Sequence, residues 1–424
     1  MVVLFIFRRD LRVHDNVGLR EAILYAKKNN DNLLVSFVFT KDQTKNNMYY
    51  SEKAFRFLLI CLDNLKNDID ITFFENNDFY KQIPDLRAII FNRDYTPYAR
   101  KRDADIERFC SKNKIHFQTF EDYTLHGIYD IQTQEGKAYK VFGPFYRKAK
   151  TLKVPKEKQK KEENPLRISA FNLLKNIKDY KTFRDFPAKD ATSRIGPYLK
   201  FGVVSIREVY HTVRRNHEFV KQLYWKEFYA NVAYHFPHVL AGMLPGKKSL
   251  EMYPKFRNLS WCKNTQDFQR WCQGKTGVPI VDAGMRQLNE TGFMHNRLRM
   301  ITASFLVKNL EIDWRWGEKY FATKLIDYDP ASNNGGWQWV AGTGTDASPY
   351  FRVFNPWTQA KRFDNNATFI KKYVPELRSL SSKEIHNWDK KNDDRYLAPM
   401  IQHNPTKIKQ FYLKSFRLKS NYDL

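Results

Sequence analysis

The stretch whose residue types most clearly suit chemistry runs from Gly335 to Tyr350 and reads GGWQWVAGTGTDASPY. It follows two closely spaced carboxylates, Asp327 and Asp329, and the amide pair Asn333 and Asn334. Two indoles one residue apart, flexible glycines, small hydroxyl residues and a further acid are an unusual mixture for a hydrophobic core. They suit a flat aromatic ligand that needs ring stacking, a few hydrogen bonds and close approach of the backbone.

A second segment could hold a phosphate. The run Thr192–Pro197 places two hydroxyls and a guanidinium just before a predicted helix start, where proline suits the first helical position. The free N–H groups and the positive dipole end of a helix N-terminus attract phosphate. An ordinary helix cap explains the same residues equally well.

A third set of residues could contact nucleic acid. Gln222, Trp225, Lys226 and Tyr229 are spaced three and four apart and therefore share one helical face. An indole, an amide and a cation together suit base stacking and phosphate contact. A buried aromatic stripe is the alternative interpretation.

The segment His295–Met300 is polar and basic, with Asn296 and Met300 on one face and Arg299 beside them. An arginine here could pair with Asp327; because burying such a pair costs desolvation, it is more plausible as a site feature than as a stabilising device. By contrast, nothing in the composition links the scattered residues Trp261, Trp314 and Trp337, and core packing is their default interpretation.

Composition and charge narrow the classes of function. The chain has 424 residues and a net charge of +26, from 72 Lys and Arg against 46 Asp and Glu. A nucleic acid or another anionic partner is expected, although a lysine-rich protein from an AT-rich genome would look similar. The four cysteines show no paired spacing and no metal-ligand cluster is apparent, so neither disulfides nor a metal are predicted. The apolar run Val2–Phe7 is too short to span a membrane. We expect a soluble protein, cytoplasmic or, in a eukaryote, nuclear.

The fold class follows from the alternation of elements. Apolar runs predict strands at Val2–Phe7, Leu33–Phe39, Ile71–Phe74, Ala88–Phe91 and His116–Phe120, with helices at Leu19–Asn29 and Ser51–Asn67 between them. This pattern predicts a parallel α/β sheet over residues 1–125. Residues 126–176, with a charged run from Lys148 to Glu163, are predicted to be a linker. Helical patterns dominate residues 177–424, so the second domain is predicted to be all-α.

Three stretches together resemble the photolyase/cryptochrome family, and most closely its class I cyclobutane pyrimidine dimer photolyases. They are FRRDLRVHDN (Phe7–Asn16), the run Val278–Pro356, and YLAPMI beginning at Tyr396. The resemblance implies a Rossmann-like N-terminal domain, a long linker and a helical domain that binds FAD. It further implies light-driven repair of UV-damaged DNA by electron transfer from reduced FAD, the cofactor carrying the chemistry.

The resemblance also implies roles for individual residues. The flavin contacts would be Tyr180, Thr192, Ser193, Arg194, Ile195, Gly196, Arg299, Asp327, Tyr328, Asp329 and Asn333. Arg299 and Asp327 would form the charged pair over the flavin ring, favouring its reduced anionic form, and Asn333 would face N5. Trp337, Trp314 and Trp261 would relay electrons, in that order from the interior to the surface.

For the substrate, Trp225 and Trp339 would flank a dimer flipped out of the duplex, at a cost that stacking offsets. The remaining substrate and DNA contacts implied by the resemblance are Gln222, Lys226, Tyr229, Asn296, Arg297, Met300 and Gln359.

Gln222 departs from the cyclobutane pattern, which has Glu there. Gln at this position is usual in (6-4) photolyases, whereas Asn296 and Met300 match the cyclobutane group, and we weigh those two agreements more heavily. A (6-4) photolyase or a signalling cryptochrome remain the alternatives.

If the protein binds a second, antenna chromophore, the sequence favours a deazaflavin type over a folate. Tyr98-Ala99 and Lys247-Lys248 differ from the folate-binding pattern, whereas Asn92–Tyr98 resembles relatives that bind a deazaflavin or use no antenna. We expect a monomer.

Overall fold

A computed structural model describes residues 1–44, 46–156, 164–346, 353–391 and 393–420. The strands are β1 Val2–Phe7, β2 Asn32–Val38, β3 Thr72–Phe74, β4 Leu86–Asn92 and β5 His116–Phe120. The helices are α1 Val17–Asn29, α2 Glu52–Leu65, α3 Pro97–Asn113, α4 Phe142–Ala149, α5 Pro165–Leu173, α6 Tyr180–Phe183, α7 Gly196–Lys200, α8 Ile206–Val213, α9 His217–His235, α10 Thr265–Gln273, α11 Pro279–Thr291, α12 Asn296–Ser304, α13 Trp314–Lys324, α14 Pro330–Ala341, α15 Pro356–Phe363, α16 Thr368–Tyr373, α17 Ser382–Ile385 and α18 Pro405–Ser420.

The predicted strands are confirmed, with shifts of at most two residues at their ends. They form a parallel sheet in the order β3-β2-β1-β4-β5. Alternate residues of β1 enter different cores: Phe5 packs with α1 and α2 on one face, and Ile6 packs with α3 on the other. Because both faces are covered by helices, β1 is apolar throughout and not alternately polar.

Contacts divide the chain into two compact units that are not continuous in sequence. The first unit comprises Met1–Lys178, Ser193–Ser249 and Asp327–Ser332, and the second comprises Asp179–Thr192, Leu250–Ile326 and Asn333–Leu424. The sheet belongs to the first unit, and the second is built of helices, which confirms the predicted fold class. Within residues 126–176, predicted as a linker, the chain forms α4 and α5; residues 157–163 of its charged run lie outside the described residues.

The carboxyl ends of β1 and β4 are filled by side chains of the protein itself. Asn92 donates hydrogen bonds to Asp10 (2.6 Å) and to Asn16 (2.7 Å), and all three residues are buried. The remaining space there is about 10 Å³. This crevice is where α/β sheets commonly bind ligands, but here it has no room for one.

A larger cleft lies elsewhere in the first unit, and we call it the Tyr49 cleft. Its volume is about 600 Å³, and it is lined by residues 42 and 46–49 after β2, by residues 77, 78, 80 and 81 after β3, by α3 and by residues 242–245. Such a volume suits an organic ligand of cofactor size. In the described part of the chain, no helix is both long enough and apolar enough to cross a membrane.

Candidate functional site

The first part of the aromatic motif Gly335–Tyr350 belongs to helix α14. Trp337 lies on α14 and is 2% exposed; its ring meets Phe321 and Trp271 edge-on, with centroids 4.9 and 6.1 Å away. Gly317 on α13 makes this packing possible, because a Cβ there would overlap the six-membered ring of Trp337 and the side chain of Leu306. Residues 347–350 of the motif lie outside the described residues.

Gly317→Ala is therefore expected to destabilise the protein, since a buried indole and the helix backbone would both have to move. Overpacking of this kind costs about 1–3 kcal/mol. Thermal and urea unfolding of the variant measure the loss, and Gly336→Ala on α14 is the matched control. Apart from its chain neighbours and the backbone of α14, no described atom lies within 4 Å of a Cβ placed on Gly336, so alanine should not lower the stability of the flavin-free protein, in which both variants are compared. Equal stability of the Gly317 variant and the wild type would contradict the packing described.

Asn333, predicted to face a flavin, is held by a buried acid on α13. Its amide nitrogen donates to the backbone oxygen of Glu318 at 3.1 Å, and the side chains of Asn333 and Asn334 also hydrogen-bond the Glu318 carboxyl. Burial raises the pKa of Glu318 to about 8, an effect that Arg315 and the two amides only partly oppose. Glu318 is therefore mostly a neutral carboxylic acid at pH 7.

One face of α14 leaves room for a planar group. Asn333 and Gly336 are three residues apart and share that face, and the space beyond Gly336 is open. Glycine inside a helix costs about 1 kcal/mol relative to alanine, so two consecutive glycines at 335 and 336 need a compensating reason. Close approach of a flat ring to α14 provides one.

A pocket of about 400 Å³ in the second unit collects four of the predicted substrate residues, Arg297, Met300, Trp339 and Gln359. We call it the Arg297 pocket; its other lining residues are Asp185, Phe354, Arg362 and Phe363. Three aromatic rings, two guanidiniums and an amide around one cavity can stack a base and bind polar ring edges.

Two contacts fix the geometry of the Arg297 pocket. The Arg297 guanidinium donates to Asp185 at 2.8 Å and lies over the Phe363 ring at 4.2 Å. Gln359 presents a buried amide oxygen, Oε1, that accepts no hydrogen bond from any described residue. An unpaired buried acceptor costs about 1–3 kcal/mol, so it marks a place for a donor of the ligand. Asn296 is exposed beside this pocket, with its amide 3.8 Å from the sulfur of Met300.

In the first unit, Asp329 is the centre of a buried ionic cluster. Its carboxylate accepts hydrogen bonds from Arg9 and from the Tyr123 hydroxyl. The Lys226 ammonium lies 3.2 Å from the centroid of the Tyr123 ring and donates to the Tyr123 backbone oxygen at 3.2 Å. Burial alone would raise the pKa of Asp329, but the positive charges of Arg9 and Lys226 hold it well below its usual range.

Lys226, predicted to contact DNA, thus points at Tyr123, and reaching DNA would require it to leave this position. Burial lowers the pKa of Lys226 to about 7, and it does the same for Lys200. Arg9 repels both ammonium groups and acts in the same direction.

The predicted phosphate segment runs into α7. Ser193 is buried and its hydroxyl accepts from the backbone N–H of Ile195 at 3.3 Å, while Arg194 is exposed with a positive φ of 52°. A Cβ on Gly196 would meet the Asp327 carboxylate at 2.8 Å. Glycine at 196 is what allows α7 to start against Asp327.

The remaining predicted cofactor residues are placed as follows. In the first unit Tyr328 stacks with Tyr49, at 6.1 Å and 11°. In the second unit Tyr180 begins α6, Thr192 is half-buried, and Arg299 donates to the Met294 backbone oxygen at 2.8 Å. Arg299 and Asp327, the predicted charged pair, belong to different units.

The four predicted nucleic-acid residues of α9 lie on its less buried face. Gln222, Trp225, Lys226 and Tyr229 are half-buried, whereas the neighbouring residues 223, 224, 227 and 228 are buried. The Gln222 amide donates to the Glu218 backbone oxygen at 3.2 Å.

The other two tryptophans of the predicted relay differ in exposure. Trp314 is fully buried, and the Arg315 guanidinium lies 4.7 Å from its ring. Trp261 is half-buried and its ring lies 5.5 Å from that of Phe411 on α18.

Sequence reasoning did not select several residues that shape these sites. They are Glu318, Trp271, Asp185, Phe354, Arg362, Phe363 and Phe142, the last stacked on Trp225. Their positions in sequence carry no signal, because each acts through a tertiary contact.

Comparison with known proteins places these features in a family. Residues 3–164 match the family described as DNA photolyase, and residues 219–413 match the FAD binding domain of DNA photolyase. A deoxyribodipyrimidine photo-lyase of Alkalihalophilus pseudofirmus is 36% identical, with 95% of each chain covered.

Two solved structures are similar over their whole length. An archaeal photolyase of Sulfolobus tokodaii, solved with two FAD molecules, has a TM-score of 0.87 and 36% identity and covers 98% of this chain and 100% of its own. A class III photolyase of Agrobacterium tumefaciens has a TM-score of 0.82 and 29% identity, with 99% and 98% covered.

Proposed function

Because the chain belongs to the DNA photolyase family, we propose that it repairs cyclobutane pyrimidine dimers in DNA with light, as a deoxyribodipyrimidine photo-lyase. When bound and reduced, FAD supplies on illumination the electron that splits the cyclobutane ring and is then returned. The residues of the protein bind, orient and shield the reactants.

The observation that carries this proposal is the Arg297 pocket. It combines the Trp339 ring, two guanidiniums and the unsatisfied Gln359 oxygen. A thymine dimer offers flat faces, carbonyl oxygens and N3–H donors, and these are the partners such a pocket lacks. Stacking on an aromatic ring contributes about 1–3 kcal/mol per base, which offsets the cost of flipping the lesion out of the duplex.

For FAD, we propose the contacts that the resemblance assigns, with Asn333 aimed at the flavin ring. The open face of α14 at Asn333 and Gly336 fits a planar ring. Glu318 holds the Asn333 amide in a single orientation by hydrogen bonding both through its backbone oxygen and through its carboxyl. A fixed amide presents the same hydrogen-bonding atom to the ring at every turnover.

The net charge of +26 gives non-specific attraction to the DNA backbone. Its contribution should fall with salt, whereas stacking of the lesion should not.

A repair assay tests the proposal. Chemically reduced protein is illuminated at blue and near-UV wavelengths, under anaerobic conditions, with oligonucleotides that carry either a cis-syn thymine dimer or a (6-4) product, each with a dark control. Light-dependent loss of the cyclobutane lesion alone is expected. Repair of the (6-4) product alone would mean that Gln222 decides the substrate. Repair of neither lesion, with flavin bound, would overturn the proposal.

Gln222→Glu is expected to raise cyclobutane repair. The amide of Gln222 can hydrogen-bond a thymine edge, but unlike a carboxyl group it can neither donate a proton nor carry a charge. Hydrogen bonds to charged groups exceed neutral ones by about 1 kcal/mol, so roughly a fivefold tighter complex is expected. Lesion affinity and repaired product per photon measure the change, with binding of undamaged DNA as the control. No increase would count against placing Gln222 at the lesion.

We further propose that the Tyr49 cleft holds a second chromophore, of the deazaflavin type rather than a folate. The support is its volume of about 600 Å³ and the resemblance at Asn92–Tyr98. Heat release of bound chromophores followed by chromatography identifies them. A folate in the extract would contradict the proposal, and a second FAD would show that the cleft takes a flavin dinucleotide.

A further inference from the structure

A column of aromatic rings in the first unit ends at Trp225. The Phe142 and Trp225 rings are stacked with centroids 3.6 Å apart and planes 7° apart. On α4, Tyr146 continues the stack one helical turn later, 5.6 Å from Phe142 with planes 9° apart. Phe228 on α9 meets both Phe142 and Trp225 edge-on, at 5.7 Å in each case.

This stack differs in kind from ordinary core packing. Edge-to-face and offset contacts are the common arrangement of aromatic pairs, and they dominate the rest of this region. A centroid distance of 3.6 Å with parallel planes instead covers one face of the indole nearly completely. Any base that stacks on Trp225 must therefore use the opposite face.

The two rings also differ in exposure. Phe142 is 4% exposed and lies with Phe145 and Ala149 on the buried face of α4. Trp225 is half-buried. The phenyl ring is therefore fixed by the core, and the indole is fixed by the phenyl ring.

We propose that Phe142 is a positioning residue for lesion binding: it holds the Trp225 indole parallel to the plane that an incoming base must adopt. This inference rests on the proposed function. It goes beyond it because Phe142 does not contact DNA and acts only through Trp225. If the Trp225 indole were mobile, binding the lesion would cost the conformational entropy of its side chain. Because stacking on Phe142 has already fixed the indole on folding, that cost does not weaken binding.

The expected effect is a loss of lesion discrimination. Phe142→Leu removes the parallel ring but keeps an apolar side chain of similar size. Fixing one side chain on binding corresponds to roughly a two- to tenfold change in affinity. The dissociation constant for a duplex with one thymine dimer should rise by roughly fivefold in the dark. That for the undamaged duplex, and the salt dependence of both, should stay unchanged.

Three variants control for simple destabilisation. Phe142→Tyr retains a stacking ring and should restore wild-type discrimination. Phe228→Leu removes a fully buried ring that meets Trp225 only by its edge, and it should lower the melting temperature without changing discrimination. Adding Phe142→Leu to Trp225→Ala should cost no further lesion affinity, because the two residues act in series. If the leucine variant does not fold, Phe142→Met makes the same test with a flexible side chain of similar volume.

Two outcomes would overturn the inference: unchanged discrimination in Phe142→Leu, or an equal loss for damaged and undamaged DNA. Fluorescence anisotropy measures the affinity for the duplex with a thymine dimer and for the undamaged duplex, and it separates these two outcomes from failure of the proposed function. A wild-type protein without lesion preference would reject the function itself. A wild-type preference that survives Phe142→Leu would reject only the role of Phe142.

Discussion

Trp337→Phe is expected to slow light-driven reduction of the oxidised flavin by on the order of tenfold or more, a barrier increase of at least about 1.4 kcal/mol. A phenyl ring is far harder to oxidise than an indole, so the inner position of the proposed relay would no longer supply an electron. Repair by protein that has been reduced chemically should be retained, because that reaction needs no relay. Absorbance changes under blue light with an external thiol, and the repair assay, measure the two separately.

Trp271→Phe is the matched control for this prediction. Trp271 is a second buried indole whose ring contacts that of Trp337, but it is not part of the proposed relay. Its replacement should leave photoreduction near the wild-type rate. A loss as large as that of Trp337→Phe would show that the route passes through Trp271. Unchanged photoreduction in Trp337→Phe would reject the relay altogether.

The Arg315 guanidinium next to Trp314 is paired with two carboxylates, at 2.6 Å from Glu251 and 2.9 Å from Asp313. Although it lies 4.7 Å from the Trp314 ring, it therefore adds no net positive charge there, and Trp261 is the more exposed end of the proposed relay.

Glu318→Gln is expected to change how stability depends on pH. The pKa of Glu318 is about 8 in the folded protein, above its usual value of about 4.3 in an unfolded chain. Between those values the folded state binds more protons, so this group's contribution to stability is complete below about pH 4 and is lost as the pH rises to about 8. Glutamine is neutral throughout and removes that dependence, which amounts to up to about 1.4 kcal/mol per pH unit.

Urea unfolding of the wild type and of Glu318→Gln from pH 5 to 8.5 measures the difference in slope. Glu290→Gln makes the same chemical change at an exposed position of α11 and serves as the control. Infrared absorption of a protonated carboxyl at pH 7, absent in Glu318→Gln, is an independent readout. Parallel stability curves for the two proteins would show that Glu318 is ionised at neutral pH.

The sheet could be predicted from sequence because its strands are buried on both faces. Runs such as Val2–Phe7 are apolar throughout and are bounded by polar residues, so length and composition alone locate them. The middle of α14 gave no such signal. Gly335 and Gly336 have low helix propensity, and tertiary packing around Trp337 holds them in a helix.

The burial of individual polar residues was the main feature that could not be predicted from the sequence. Glu318 lies inside a predicted helix, where a glutamate is ordinarily exposed, and only its neighbours in space make it a neutral acid. The helical spacing puts Lys226 on the same face of α9 as Gln222 and Trp225, but the Tyr123 residue that it contacts is 103 residues away in sequence. Phe142 follows a polar segment whose pattern gave no reason to pair it with Trp225.

Within five positions, helix α13 carries three residues that shape the candidate site: the buried indole of Trp314, Gly317 against which Trp337 packs, and the buried acid Glu318. The rise of an α-helix places Trp314 and Glu318 about 6 Å apart along one axis, on the same side. Backbone hydrogen bonds set that spacing, not the packing between helices. Heating or mild denaturant should loosen the packing between helices of the second unit before it unfolds the helices themselves. The contact between Trp337 and Gly317 should therefore be lost before the spacing between Trp314 and Glu318 changes.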